Sequence, residues 1–233
     1  MNDAKKPKTW DIPTRLTHWT LAGLVIAAFI TGDGIGGDMD TPGWGENLSQ
    51  HRTIAIWIVG LLVFRLVWGF IGNAQAKFKN FPLSPIKLAQ DLANLATPGS
   101  HAKPKHYPGH TPAGAWATIA ILVFVAVQVG TGLLNFNTDD NIYGPLARLV
   151  PQNVNNNAKW IHEKLGELFP TIILLHLAAV FWHEIVKGHK IITAMFTGRR
   201  PVQNDVQWQP ERPKRAVITA AVSVIVVIIL FLI

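Results

Sequence analysis

The sequence contains no cysteine. This absence excludes disulfide bonds, thiolate nucleophiles and iron–sulfur clusters held by cysteine. Any redox or metal centre must therefore use other ligands, and the nine histidines are the available donors.

Charge is also scarce. Only 15% of the residues are charged and 49% are hydrophobic, whereas a soluble domain usually has about a quarter charged residues. Together with several long apolar runs, this composition indicates a protein embedded in membrane lipid. The net charge of +7 would suggest a nucleic-acid partner if it formed one patch. It is instead distributed among the connections between apolar segments, so it predicts membrane topology and no nucleic-acid binding.

Five segments are apolar enough to cross a bilayer, which takes roughly 20 mostly apolar residues for a helix. We therefore predict an all-α membrane protein, with a four-helix transmembrane bundle followed by a fifth, C-terminal transmembrane helix. A short interfacial helix is predicted within "SPIKLAQDLANLA", between the second and third segments. The five segments are 16–31, 53–71, 113–136, 159–186 and 216–233.

The basic residues predict the orientation. Of the 21 lysines and arginines, most precede the first segment or lie between the second and third or the fourth and fifth segments. The stretch 32–50 after the first segment has none, and the stretch 137–160 after the third has only Arg148 and Lys159. Because short cytoplasmic connections carry the excess of basic residues, the N-terminus should be cytoplasmic and the C-terminus should lie outside.

The fourth segment carries histidines that are costly in lipid and are functional candidates by default. His162 and His176 are 14 residues apart. At about 100° and 1.5 Å per residue, they face one side of the helix and lie roughly 21 Å apart along its axis. One helix can thus offer an imidazole to each of two sites, one near each membrane face.

Two further histidines lie near the ends of other segments. Antiparallel packing would bring His51 to His162 near the outer face and His18 to His176 in the inner half. We call His51 and His162 the outer pair, and His18 and His176 the inner pair. An octahedral iron in a flat macrocycle needs two opposed axial ligands, so the two pairs predict two non-covalent, bis-histidine b haems. Zinc usually takes four ligands, often including sulfur, and fits less well.

Three more residues are candidates for contact with a cofactor. His183 could replace His176 as the partner of His18, bind a haem propionate or line a quinone site, and we favour His176 as the ligand. Arg65 lies within "LLVFRLVWG"; it either extends to the cytoplasmic interface or pairs with the propionates of the inner haem. Arg15, just before His18, is a second candidate for those propionates.

The chain resembles the bacterial cytochrome b561 family, which includes the cytochrome b subunits of nickel–iron hydrogenases. The likeness covers about residues 8–200. Its motifs are "WDIPTRLTHW", "LLVFRLVWGFIG", "GHTPAGAW", "GTGLL", "WIHEKLGE" with "LLHLAAVFWHE", and "ITAMFTGRR". The resemblance implies two b haems in a four-helix core, with ligand positions matching His18, His51, His162 and His176. Family members often have "GHNP" where this chain has "GHTP", and the fifth helix lies outside the usual core.

The resemblance also implies the activity. We expect electron transfer across a bacterial cytoplasmic (inner) membrane, between the quinone pool and a periplasmic c-type cytochrome or hydrogenase-like enzyme. Quinol oxidation or quinone reduction would need proton exchange, for which His183, His110 and Glu184 are cytoplasmic candidates. A redox-inactive membrane anchor and a histidine-lined metal or proton transporter are the alternatives.

The expected domain organisation follows from these segments. Residues 1–200 would form the haem domain, 201–215 a basic cytoplasmic linker, and 216–233 the additional helix, which we interpret as an anchor or a docking helix. Membrane lipid is an expected partner, and a homodimer remains an open alternative.

Overall fold

The computed structural model describes residues 9–34, 44–96, 109–137, 142–199 and 212–233. These residues are almost entirely helical. Two strands of two residues each, β1 (Phe136–Asn137) and β2 (Ile142–Tyr143), pair antiparallel. The α-helices are α1 (Ile12–Phe29), α2 (Trp44–Ile71), α3 (Pro85–Ala96), α4 (Pro112–Leu134), α5 (Gln152–Phe181), α6 (Ile191–Thr197) and α7 (Pro213–Leu232).

Four of the described helices are long and apolar enough to cross a membrane. They cover 47–71, 112–134, 152–186 and 213–232, and correspond to four of the five predicted segments. The multi-pass, all-helical class is therefore confirmed. The remaining segment corresponds to α1, which contains Arg15 and His18. Its crossing of the membrane, and with it the division into four helices plus a fifth, stays a prediction.

The helices begin where the sequence places caps and prolines. Proline is the first residue of α3, α4 and α7, a position where its missing N–H costs no hydrogen bond. Thr111 caps α4, since its hydroxyl accepts a hydrogen bond from the Gly114 N–H at 3.1 Å. Asp11 caps α1 in the same way, accepting from the Thr14 N–H at 2.8 Å. The short helix α3 confirms the prediction of a helix within 84–96.

Two helix ends differ from the sequence prediction. The helix containing His51 begins at Trp44, so His51 does not open α2 but lies two turns inside it. The prediction placed the start too late because the preceding residues are polar, and hydropathy detects only the part of a helix suited to lipid. At its C-terminal end, α5 passes into a π-helical turn, Trp182–Val186, a form that the sequence did not predict.

The chain divides into two compact units. Unit 1 comprises Met1–Leu16, Leu66–Ile121 and Ile172–Val217. Its centre includes Trp68, which is fully buried and donates its indole N–H to Asp11 at 3.2 Å. Unit 2 comprises Thr17–Arg65, Leu122–Thr171 and Ile218–Ile233.

The core of unit 2 is formed where α7 packs against α2. Ile56 of α2 is buried with Val227 and Leu230 of α7. The contact is close because α2 has a glycine at this point: a Cβ on Gly60 would lie 2.5 Å from Cγ2 of Val227. The apolar C-terminal helix is thus integrated into unit 2 through one of its faces.

Candidate haem-ligand site

The outer pair of histidines comes together within unit 2. His51 lies on α2 and His162 on α5. Their ring centroids are 6.0 Å apart, and the ring planes are nearly perpendicular at 81°. The structure therefore brings together the two imidazoles that the sequence predicted to share one site.

Each of these imidazoles is held by a carbonyl oxygen of a neighbouring helix. The Nδ1–H of His51 donates to the Ala28 carbonyl of α1 at 2.7 Å, and the Nδ1–H of His162 donates to the Gln128 carbonyl of α4 at 2.9 Å. A carbonyl oxygen can only accept, so Nδ1 must carry the proton in both rings. The lone pair of each neutral ring is then at Nε2, as in most metal-ligating histidines.

Two glycines leave room for the imidazole rings of His51 and His162. A Cβ on Gly32 would lie 2.7 Å from Nδ1 of His51, and a Cβ on Gly132 would lie 2.9 Å from Cε1 of His162. Either methyl group would force a shift, because contacts this short are repulsive. Glycine at these two positions is thus a steric requirement of the histidine positions.

Gln128 is a positioning residue to which the sequence alone assigned no definite role. Its backbone carbonyl accepts from the His162 ring, and its side-chain Nε2 donates to the His162 carbonyl at 3.1 Å. Residue 162 is therefore held both through its side chain and through its main chain. The only signal in the sequence is an isolated amide within the apolar run of α4, which is too common to assign a role.

The inner pair stays a prediction. His18 lies in the second turn of α1 and packs edge-on against Trp19, with ring centroids 5.0 Å apart. His176 lies on α5 and is half-buried. His18 belongs to unit 2 and His176 to unit 1, and their pairing is not tested by the contacts within either unit.

The two arginine candidates have different surroundings. Arg15 donates to the carbonyls of Met195, at 3.2 Å, and Phe196, so it satisfies carbonyl groups at the end of α6 that no helical N–H can reach. Arg65 is only 7% exposed. Its guanidinium is thus buried within the protein, which favours a partner inside over an extension to the interface.

His183 has a neighbour that the sequence did not predict. Its Nδ1 lies 3.0 Å from Nδ1 of His189. Neither the spacing of six residues nor any local motif indicates this contact, because it depends on the turn that follows α5.

The geometry of the outer pair fits a haem. Two neutral imidazoles on different helices lie with their ring centroids 6.0 Å apart, and backbone carbonyls fix the tautomers that leave the lone pair on Nε2. This donor set, without thiolate, is one that would hold the iron of a b haem.

Apolar membrane helices and an opposed imidazole pair together define a multi-pass membrane protein of the b-type cytochrome class. The model of one family, described as prokaryotic cytochrome b561, matches residues 9–198. The chain belongs to this family. Membership confirms the resemblance and implies haem b as the cofactor and electron transfer as the activity.

Curated relatives have the same character. A probable Ni/Fe-hydrogenase B-type cytochrome subunit of Bradyrhizobium diazoefficiens is 23% identical over 215 residues, covering 82% of this chain and 84% of the relative. Proteins with the same description from Azotobacter vinelandii and Cupriavidus necator are 25% and 24% identical; each match covers 84% of this chain, with 89% and 87% of the respective relative. No solved structure matches significantly.

Proposed function

We propose that this protein transfers electrons across the bacterial inner membrane, between the quinone pool and a periplasmic redox partner. The observation that carries this proposal is the outer pair, whose two rings are oriented with Nε2 as the available donor. Haem b, when bound, supplies a one-electron couple that the side chains of the chain do not provide.

We assign the outer haem to His51 and His162, and the inner haem to His18 and His176. Arg65, buried within the protein, is the better candidate for the propionates of the inner haem. Arg15 already donates to two carbonyls of α6, so only its remaining N–H groups are available for such a role. His183 is placed at the end of the span and not in a ligand pair.

The proposed topology has four haem-domain helices in residues 1–200, a cytoplasmic linker at 201–215 and a fifth crossing at 216–233. The N-terminus is cytoplasmic and the C-terminus periplasmic. The close contact of α7 with α2 at Gly60 supports a structural role for the fifth helix within the protein. The opposite face, where Ile218, Ile225 and other apolar side chains are exposed, is the one available for docking.

The partner is proposed from the relatives. Those named above are described as cytochrome subunits of Ni/Fe-hydrogenases, which makes a hydrogenase-like enzyme the first candidate. A periplasmic c-type cytochrome is the second. A homodimer is compatible with either partner.

Haem content is the direct test. We expect two non-covalent b haems per polypeptide in the purified protein, low-spin in the oxidised and dithionite-reduced spectra. His51→Leu and His162→Leu should each remove the same haem, and His176→Leu the other.

The control is His183→Leu, which should keep both haems. Loss of a haem from His183→Leu but not from His176→Leu would reverse the assignment of the inner ligand. A protein without haem would refute the proposed function. The membrane anchor and the histidine-lined transporter would then be the functions to test. A single haem would mean that one of the two pairs serves packing alone.

A further inference from the structure

A second pair of imidazoles lies where α5 ends. The Nδ1 atoms of His183 and His189 are 3.0 Å apart, the ring centroids are 5.1 Å apart, and the planes differ by 25°. With centroids this far apart and nitrogens this close, the two Nδ1 atoms lie between the rings, near the line that joins their centres. One Nδ1–H therefore donates to the other Nδ1 close to the plane of both rings, the geometry of a strong hydrogen bond.

The main chain takes an unusual course to form this pair. The π-helical turn Trp182–Val186 contains His183, and such turns are frequent at functional sites. Gly188 and Lys190, on either side of His189, both have positive φ, at 66° and 49°. For lysine this conformation is strained. The His189 N–H also donates to the His183 carbonyl at 2.9 Å. Residues 183 and 189 are therefore in contact through both their main chains and their side chains.

Neighbouring groups fix the segment in place. The Glu184 carboxylate accepts from the Ile192 N–H at 2.8 Å and from the Thr193 hydroxyl at 3.2 Å, which holds the start of α6. Lys187 donates to the Asn94 carbonyl of α3 at 2.7 Å. The charges that act on His183 come from Asp91 of α3 and from Lys187. The carboxylates of Glu184 and Asp91 are thus both occupied in structure, since Asp91 accepts from the Ala113 N–H at 3.0 Å, which makes the histidine pair the stronger candidate for chemistry at this end of α5.

We propose that His183 and His189 together form the proton donor and acceptor for a quinone bound at this end of α5. This inference rests on the proposed function, which supplies the electrons. His183 is buried and His189 is half-exposed, so the positive charge of the protonated pair is shared between a buried ring and one nearer the surface.

The proton balance is simple. The loaded pair carries one positive charge, with a proton on each Nε2 and one proton shared between the Nδ1 atoms. Reduction of a quinone to a quinol takes two electrons and two protons. For one of these protons, the Nε2–H bond of His183 breaks and an O–H bond forms on the reduced quinone. The shared proton then resides on Nδ1 of His183, which leaves both rings neutral. A proton from water then binds to Nε2 of His183 and restores the pair, and a second transfer by the same path supplies the second proton of the quinol. Quinol oxidation runs the same step in reverse.

The test compares His183→Gln and His189→Gln in the haem-loaded protein, because glutamine keeps hydrogen bonding but cannot supply a proton. With decylubiquinone, we expect the rate of quinone reduction at neutral pH to fall about 100-fold in each variant, the scale of a lost general acid. Haem content and the reduced spectrum should not change. In protein labelled with ¹⁵N-histidine, the NMR signal of the shared Nδ1 proton should disappear in both variants.

Lys87→Gln is the control, since it removes an exposed charged group of α3 in the same unit. It should leave both the rate and the NMR signal unchanged. Unchanged quinone rates in both histidine variants would overturn the role of the pair while leaving the proposed function standing. Loss of a haem from His183→Gln would also overturn it, because His183 would then be a ligand. A haem-loaded wild-type protein that does not react with the quinone would refute the proposed function itself.

Discussion

Gly130 and Gly132 lie two residues apart on α4, yet a methyl group would meet different surroundings at each. At Gly132 it would lie 2.9 Å from the His162 ring, and at Gly130 nothing lies within 4 Å. We expect Gly132→Ala to displace the His162 imidazole and weaken retention of the outer haem. The measurement is haem per polypeptide after dilution in detergent, together with the melting temperature.

Gly130→Ala is the matched control. Both substitutions gain the same helix propensity, about 1 kcal/mol, so the difference between them isolates the contact with His162. Gly130→Ala should retain the haem of the wild type and melt at the same or a higher temperature. Equal haem retention in the two variants would show that the His162 ring has room to move and that Gly132 is not a steric requirement.

Asp11 connects two structural roles through one carboxylate. One oxygen caps α1 by accepting from the Thr14 N–H, and the other accepts from the Trp68 indole. We expect Asp11→Ala to destabilise unit 1 by about 1 kcal/mol for the lost cap, and by about 1 kcal/mol more for the lost side-chain hydrogen bond. Thermal unfolding in detergent measures the effect.

Asparagine separates the two contributions at this residue. Asp11→Asn keeps an oxygen for the cap and replaces the other by an amide NH₂, which cannot accept from the indole. Its loss of stability should therefore be smaller than that of Asp11→Ala. Identical melting temperatures of Asp11→Ala and wild type would mean that neither hydrogen bond contributes.

At the scale of the elements, the packing of α7 against α2 can be tested by a double-mutant cycle. Gly60→Ala should destabilise the protein, because the new Cβ would lie 2.5 Å from Val227. Val227→Ala alone should also destabilise it, since it removes buried apolar volume from the core of unit 2. The double variant should lose less than the sum of the two, because each change makes room for the other.

Strict additivity in this cycle would contradict direct packing of α7 on α2. Gly23→Ala serves as a control for the glycine-to-alanine change, since nothing lies within 4 Å of its added Cβ. It should be neutral or stabilising.

Elements were predictable from the sequence to the extent that a local pattern determines them. Apolar length gave the long helices, and "SPIKLAQDLANLA" predicted α3 as an interfacial helix. The outer pair was predictable because His51 and His162 both lie near the start of their predicted spans, and the second and fourth spans of an alternating arrangement start at the same membrane face. The contact of His183 with His189 was not predictable from the sequence. It requires left-handed backbone at Gly188 and Lys190, and lysine has no preference for that conformation. The sequence assigned Gln128 no definite role because half of that role is played by its backbone carbonyl.

One proline of α5 also escaped the sequence argument. Pro170 lies inside the helix, between His162 and His176. A proline cannot donate to the carbonyl four residues earlier, and its ring crowds that carbonyl. The expectation that the two histidines face the same side used ideal helix geometry, so it holds only as far as α5 remains regular through Pro170.

On the scale of the whole molecule, basic residues gather around the end of α2 and the beginning of α7. Lys77, which follows α2, has its pKa lowered by partial burial and then by the positive charges of Arg212, Lys79 and Arg215. Arg215 also donates to the Ile71 carbonyl at 3.0 Å. The end of α2 and the beginning of α7 therefore share one basic surface, as the positive-inside rule expects of a cytoplasmic face.

The lack of cysteine makes the topology directly testable. Single cysteines at Lys87 of α3 and Asn153 of α5 would be the only thiols in the chain, and both positions are exposed. With a membrane-impermeant maleimide, we expect Asn153→Cys to be labelled in intact spheroplasts and Lys87→Cys only after the membrane is opened. The reverse pattern would invert the proposed orientation.

The packing of α7 on α2 also has a consequence for biosynthesis. The ribosome makes α2 early and α7 last among the described helices, so the surface around Gly60 and Ile56 cannot be covered by its own partner while most of the chain is still being translated. Until then lipid or the insertion machinery must cover it. Unit 2 therefore completes its core only after translation has reached α7. A truncated nascent chain would expose the surface around Gly60 and Ile56 to quality-control proteases.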